Sequence, residues 1–350
     1  MRIASWPHWY HPNPYLRAFY AGLEAHGMVH LPNVPLDLKS LHEAGADALH
    51  VHWAYPLWRD PRRFHEKARA VLAFHRLVRG ARADGLLLLR TIHNLEHHEG
   101  SSGWDRPGER PLRDADVRIY TSEWARDTGE GAARGGTPVV VPIGDLDPWL
   151  SPDPGRDAAR EALRIATDTR VLLCFGQIRP YKGFDVAVRA LDRLGPPYRL
   201  VVAGRPVLPD HGLHRPAGTR EDRLTLIQRE LDEIELVRWL AAADVVLLPY
   251  RRITGSAALL TALSRSRGVV ASDLPYFREV LGPEPDAGVL VAPDDPSALA
   301  AGIERFFDRA PRARGAAARR IAAALEWPEL VTPVVEALER RATGAREPRG

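Results

Sequence analysis

The pattern that most restricts this chain is a repeated alternation of short apolar runs with segments of helical apolar spacing. In the first half the apolar runs fall at residues 2–4, 28–31, 48–53, 86–92, 117–121 and 139–141. In the second half they fall at 171–175, 198–203, 245–248, 268–271 and 288–291. Helical spacing occupies 15–26, 64–79, 184–194, 235–242, 257–264, 297–310 and 327–341. Short, nearly continuous apolar runs are what strands covered on both faces require. Strands separated by helices predict parallel sheets with helices on either side. The expected fold class is therefore α/β, with two Rossmann-like doubly wound domains. Pro148, Pro152 and Pro154 interrupt the pattern near 145–155, which places the expected domains at 1–150 and 151–326. The segment 205–233 is polar and broken by Pro206, Pro209 and Pro216. It reads as a long loop with a helix over 221–233.

Composition narrows the function classes. The 350 residues suffice for two domains, and 45% hydrophobic with 27% charged residues describes a globular protein. A formal net charge of +3 offers no bulk attraction to nucleic acid. The single cysteine, Cys174, rules out an internal disulfide and a cysteine-based metal site. The opening residues lack the apolar core of a leader, and no run approaches the ~20 residues of a membrane span. The expectation is a cytoplasmic protein.

The densest chemistry lies at 174–185. The strand ending in Cys174 and Phe175 is followed by Gly176, Gln177, Arg179, Lys182 and Gly183, and then by a helix. Glycines allow a tight turn and close backbone approach. Two cations beside a helix N-terminus suit a diphosphate. Spacing alone leaves phosphate binding and plain solvation both open. Ligands of open α/β sheets bind beyond the carboxyl ends of strands, which adds Gly204 and the loop Tyr250, Thr254, Gly255 and Ser256. Thr254 or Ser256 can cap the following helix, contact a phosphate, or do both.

The block 174–185 resembles the donor-diphosphate motif of retaining glycosyltransferases of the GT-B fold, especially glycosyltransferase family 4. There an Arg and a Lys-Gly pair follow the first strand of the C-terminal domain and hold the diphosphate of a nucleotide-sugar. The matching residues here are Arg179 and Lys182. Residues 243–250 resemble that family's strand before its donor loop. Glu279 resembles a downstream family glutamate that takes a sugar or ribose hydroxyl. The resemblance implies two domains facing across a cleft, donor on the second and acceptor on the first, with the terminal helix crossing back onto the first. One departure stands out. Many family-4 enzymes carry two glutamates eight residues apart across the donor loop and helix. This chain has none between Ile253 and Ala262, and Thr261 falls near the second position. A subgroup acting on polysaccharide-type acceptors has a version of the loop closer to this one.

In the first half, histidines gather at strand ends: His8 and His11, His50 and His52, then His93, His97 and His98. A zinc site would need His93 and His97 on one helix, whereas His93 ends a strand. Bacterial exopolysaccharide glycosyltransferases often carry a His-Trp pair and a Thr-x-His-Asn…His-Glu segment, similar to His52-Trp53 and to Thr91 through Glu99. That resemblance implies acceptor contacts from His52, Asn94 and Glu99, with His93 as a base or a positioning group. Trp9 can stack on a sugar, while Tyr15 suits helix packing.

The resemblance as a whole implies a glycosyltransferase. It would move a hexose-type sugar from a nucleotide diphosphate sugar to a carbohydrate, lipid-linked or small-molecule hydroxyl acceptor, with retention and without metal or cofactor. Arg179 and Lys182 would neutralise the leaving diphosphate. Arginine-rich surface adds the expectation of peripheral contact at the inner face of the membrane. The alternatives are a GT-B nucleotide-sugar epimerase and a non-catalytic nucleotide-sugar-binding module. A dinucleotide-dependent dehydrogenase is disfavoured, since no Gly-x-Gly-x-x-Gly follows any expected strand.

Overall fold

The computed structural model describes residues 1–7, 13–59, 63–95, 103–129, 135–208, 212–214 and 222–344. The chain divides into two compact units, Met1–Ile143 together with the stretch from Glu326 onward, and Gly144–Leu325.

The first unit runs β1 (Arg2–Trp6), α1 (Pro14–Ala25), β2 (Val29–Leu31), α2 (Leu38–Glu43), β3 (Ala48–Val51), α3 (Pro56–Arg59), α4 (Phe64–Ala83), β4 (Leu87–Ile92), α5 (Asp105–Glu109), β5 (Val117–Tyr120), α6 (Glu123–Gly129) and β6 (Thr137–Val140). Its strands form a six-stranded sheet in the order β2-β1-β3-β4-β5-β6, with every pairing parallel. β3 and β5 are buried along their whole length, which suits their mostly apolar character, with His50 and Arg118 as the buried exceptions. Local signals start the helices. Asn13 accepts from the Tyr15 N–H and Pro14 sits at the first turn of α1. Glu66 accepts from the Arg63 N–H at the start of α4.

The second unit runs α7 (Arg156–Ala162), β7 (Arg170–Phe175), α8 (Phe184–Leu191), β8 (Tyr198–Ala203), β9 (Leu224–Ile227), α9 (Glu233–Ala242), β10 (Val245–Leu248), α10 (Ala257–Ser264), β11 (Val269–Ser272), α11 (Pro275–Leu281), β12 (Gly288–Val291), α12 (Pro296–Phe306) and α13 (Pro311–Ala323). The sheet order is β12-β11-β10-β7-β8-β9, again all parallel. Arg160 and Asp244 form a buried ion pair at 2.7 Å. Asp244 also accepts from the Val171 N–H, which fastens α7 to the starts of β7 and β10.

Three details differ from the sequence expectation. The division between units falls at 143/144 rather than 150/151. Asp145 and Leu146 bond into the second unit, through the Leu325 carbonyl and the Ser264 hydroxyl, so the prolines lie beyond the real crossing. Residues 224–227 form the edge strand β9 instead of a helix, because they pair with β8. The final helix, α14 (Trp327–Gly344), runs longer than the expected 327–341; it groups with the first unit. There it packs against α1, with the Trp327 ring 5.6 Å from Tyr15 and 6.3 Å from Phe19. Gly22 permits this approach, since a Cβ there would lie 2.9 Å from the Trp327 carbonyl oxygen.

Topology positions the sites. In each sheet the chain reverses its direction of growth once, between β1 and β3 in the first unit and between β7 and β10 in the second. Such switch points open a crevice at the strand carboxyl ends.

One buried anion braces the first unit. Asp105 is 1% exposed and accepts from Trp58 Nε1 and Arg59 Nε, both at 3.0 Å. Asp105→Ala strands the indole N–H and a half-buried guanidinium. We expect a loss of about 3 kcal/mol, read from the urea transition of the first unit by tryptophan fluorescence; an unchanged midpoint contradicts the assignment.

Candidate functional site: a cationic turn and a histidine-lined cavity

In the second unit β7 ends at Phe175 beside β10, and the loop between Gly176 and Gly183 closes with a 3₁₀ turn, Pro180–Lys182, before α8. The Lys182 ammonium stands 5.6 Å from the Tyr250 ring centroid and 5.8 Å from that of Phe184. It has no hydrogen-bond or ion-pair partner among the described residues. Burial, and then the charge of Arg179, lower its pKa to about 8. A desolvated cation without a carboxylate stores unfavourable energy that an arriving anion relieves. The Arg179 Nε–H donates to Gln177 Oε1 at 3.0 Å. Gly176, Gln177 and Gly204 line a cavity of about 210 Å³ with Arg205 and Glu230.

Two glycines are required here. Gly183 has φ +62°, and a Cβ on it would stand 2.0 Å from the Pro249 carbonyl oxygen. A Cβ on Gly204 would stand 2.0 Å from the Gly176 carbonyl oxygen. The turn after β7 is thus pressed against the loop after β10. Arg251, which sequence reasoning passed over, locks them together. Its guanidinium donates to both Asp185 oxygens, at 3.0 and 2.8 Å, to Asp294 Oδ1 at 3.0 Å and to the Pro180 carbonyl. The only sequence signal was a carboxylate, Asp185, in the first turn of α8.

The remaining residues singled out in the second half are distributed unevenly. Tyr250 is buried with its ring over Lys182. Thr254 is buried, and Gly255 follows it into the turn. Ser256 caps α10, its Oγ accepting from the Leu259 N–H at 3.1 Å, so the capping role is realised and its own O–H remains a donor. Thr261 is buried on α10, and Glu279 is exposed on α11.

In the first unit the switch point between β1 and β3 carries a hydrogen-bonded histidine network. Tyr20 Oη lies 2.8 Å from His50 Nδ1 and 2.9 Å from His52 Nε2. His50 Nε2 meets Thr91 Oγ1 at 2.8 Å, and His52 Nδ1 meets His93 Nε2 at 3.2 Å. His30 bonds Ser5 and stacks on Tyr20 at 3.6 Å. Burial lowers all four imidazole pKa values, to about 4 for His30, to about 3 for His93, and well below the ordinary value for His50 and His52. A neutral imidazole has one donor and one acceptor. His50 and His52 use both nitrogens in that way.

His52, Trp53, His93 and Asn94 line a cavity of about 470 Å³ with Arg90, Glu109 and Arg113. Trp53 stacks on His93 with centroids 4.3 Å apart. Tyr15 packs edge-on against His93 and Trp327, a core contact of α1. Sequence reading anticipated His52, His93 and Asn94. It missed Arg90, Glu109 and Arg113, which come from β4, from the end of α5 and from the segment after it. Trp9 and Glu99 lie outside the described residues, as do His8, His11, His97 and His98. Among the described residues no group of three or more His, Cys, Asp or Glu is placed to hold a metal ion.

Residues 169–309 match the family model of the glycosyl transferases group 1. This stretch makes up most of the second unit. It contains the cationic turn and the loop pressed against it. The chain is 32% identical over 227 residues to the GDP-mannose:glycolipid 4-beta-D-mannosyltransferase of Xanthomonas campestris pv. campestris, covering 64% of this chain and 61% of that protein. The chain thus spans about three-fifths of that relative's length. Among solved structures it resembles sucrose-phosphate synthase from Thermosynechococcus elongatus, with a TM-score of 0.70 at 19% identity over 99% of this chain and 100% of that one. It also resembles Anabaena HepE in complex with UDP, with a TM-score of 0.65 at 18% identity over 92% and 89%. These likenesses show the fold, GT-B, with two doubly wound domains in one chain.

The histidine network makes the first unit acid-sensitive. Folded-state pKa values below the ordinary 6.5 mean that the unfolded chain binds more protons below that pH. The stabilisation is complete above pH 6.5 and is lost as pH falls toward 4. Each fully neutral histidine contributes up to about 1.4 kcal/mol per pH unit. Thermal melts from pH 7.5 to 5 should show a falling first-unit transition, with a shallower slope in His50→Gln; equal slopes contradict it.

Proposed function

We propose that this chain transfers a hexosyl group from a nucleoside diphosphate sugar to a hydroxyl of a carbohydrate or lipid-linked acceptor. The observation that carries the reading is the unpartnered Lys182 ammonium, held beside Arg179 at the switch point of the unit that matches the glycosyl transferases group 1 model. Breaking the bond between anomeric carbon and diphosphate oxygen leaves negative charge on the diphosphate. Lys182, Arg179 and the backbone N–H groups at the start of α8 are arranged to take that charge. Gly176, Gln177 and Gly204 let the nucleotide approach the strand ends. Tyr250, Thr254, Gly255, Ser256 and Glu279 form the other donor wall. Charge neutralisation is assigned to side chains, so transfer is expected to persist in EDTA.

The acceptor is assigned to the first unit's cavity, where aromatic rings alternate with hydrogen-bonding groups at His52, His93 and Asn94. His93 is neutral at physiological pH and so can accept a hydrogen bond from the attacking hydroxyl, while a pKa lowered to about 3 favours this positioning role over that of a base. Retention follows from the resemblance of the Arg179–Lys182 block. Inversion is a second reading, favoured by the relative's name, which specifies a 4-β-mannosyl transfer, and by the lack of a glutamate pair around Thr261. The anomeric proton coupling of the product distinguishes them.

Arg179→Ala and Lys182→Ala should each lower the transfer rate about 10²–10³-fold. Near-wild-type rates in both overturn the assignment, and a new sugar nucleotide formed without acceptor would replace transfer by epimerisation. Donor affinity should also depend on pH. Lys182 must be charged to bind, and its pKa is about 8 when free. Calorimetry should give full affinity below pH 8 and a decline above it, approaching about tenfold per pH unit. In Lys182→Ala that decline should vanish.

A further inference from the structure

We propose that the outward face of α4 is a docking surface for an anionic lipid bilayer. α4 is a 20-residue helix whose inner face is buried through Val71, Phe74, Leu77, Val78 and Ala81. Its outer stripe, at spacings of three and four, carries His65, Arg69, Leu72, Arg76 and Arg79, all exposed. Arg69, Arg76 and Arg79 have no hydrogen-bond or ion-pair partner among the described residues. Arg82, on the flank, is by contrast tied to the Asp114 carbonyl and to Asp116. The stripe carries no carboxylate. Glu66 lies on its margin, held by the Arg63 N–H. Apolar groups project from the same side: Leu72 is 54% exposed and Phe64, at the first turn, is 77% exposed. The Phe64 ring meets Trp104 at 4.9 Å.

Unpaired guanidinium groups around protruding apolar side chains match the interfacial zone of a membrane, where phosphate headgroups overlie acyl chains. A nucleic acid backbone would satisfy the arginines and leave Phe64 and Leu72 in water. A second copy meeting this face across a two-fold axis would bring arginines against arginines. No helix among the described residues is long and apolar enough to cross a membrane, so the contact is peripheral. The face also adjoins the acceptor cavity. His75 of α4 bonds the Pro107 carbonyl in α5 at 2.8 Å. Trp104 precedes α5, and Glu109 at its other end lines the cavity. A headgroup-linked acceptor held at this surface would be within one short helix of His93 and Asn94. That last link rests on the proposed transferase function; the docking surface does not.

The test uses the full chain and sedimentation with vesicles of phosphatidylcholine, with and without phosphatidylglycerol. Binding should require phosphatidylglycerol and weaken with salt. Combined Arg69→Glu, Arg76→Glu and Arg79→Glu should cut the partition coefficient by at least about tenfold, and Arg76→Glu alone should give a smaller loss in the same direction. Phe64→Ser with Leu72→Ser should weaken binding while keeping its salt dependence. Arg312→Glu, on the exposed start of α13, should leave it unchanged. The proposal is overturned if the wild-type chain ignores anionic vesicles, if the α4 variants bind as well as wild type, if duplex DNA is bound more tightly than vesicles, or if the charge reversals act by changing the oligomeric state in size-exclusion chromatography. Vesicle binding is read without sugar transfer, so its failure and the failure of the transferase reading are separately visible.

Discussion

The parallel pairing of β7 with β10 is the contact on which the rest of the second unit depends. Its register sets Val245 against Leu172 and Val246 against Leu173. The strands are distant in sequence, yet their carboxyl ends finish side by side. The turn after β7 and the loop after β10 then become one surface, close enough that Gly183 tolerates no Cβ against Pro249. Arg251 converts that proximity into a fixed geometry by bonding Asp185, Asp294 and the Pro180 carbonyl. Lys182, the last residue of the 3₁₀ turn, is thereby held over Tyr250 and Phe184 with its charge unanswered.

The two units meet the problem of buried polar groups in opposite ways. In the second, a cation is kept partly desolvated, with aromatic faces offsetting part of the cost. Its depressed pKa records how far burial and the nearby Arg179 disfavour the charge. In the first, four histidines are kept neutral and bonded to Tyr20, Thr91, Ser5 and one another. A network satisfied in this way is stable only while no imidazole is charged. One arrangement suits charge that develops on a leaving group. The other suits hydrogen bonding to neutral hydroxyls.

Much of the cationic turn was legible because its chemistry is local. Gly176, Arg179, Lys182 and Gly183 stand within a few residues, between a run that can only be a strand and a helix of clear periodicity. Arg251 was not legible, because its partners Asp185 and Asp294 lie far along the chain and a surface arginine looks the same with or without them. In the first unit's cavity, His52, His93 and Asn94 stood out as polar residues ending apolar strands. Arg90, Glu109 and Arg113 did not, since only folding brings the end of α5 and the segment after it to the end of β4. β9 was misread as helix because its four residues carry little pattern of their own. Pairing with β8 decides their conformation.

The sequence by itself determined the α/β class, the positions of most strands and of several helices, and the cationic glycine turn, because periodicity and glycine conformation act over a few residues. Tertiary structure alone decided the order of the strands, and with it the switch points that bring Lys182 to Tyr250 and His52 to His93. It also supplied the contact that docks α14 in the first unit, the packing of Trp327 on Tyr15 and Phe19. Strand order and helix docking depend on contacts between residues far apart in the chain. No local pattern specifies those contacts.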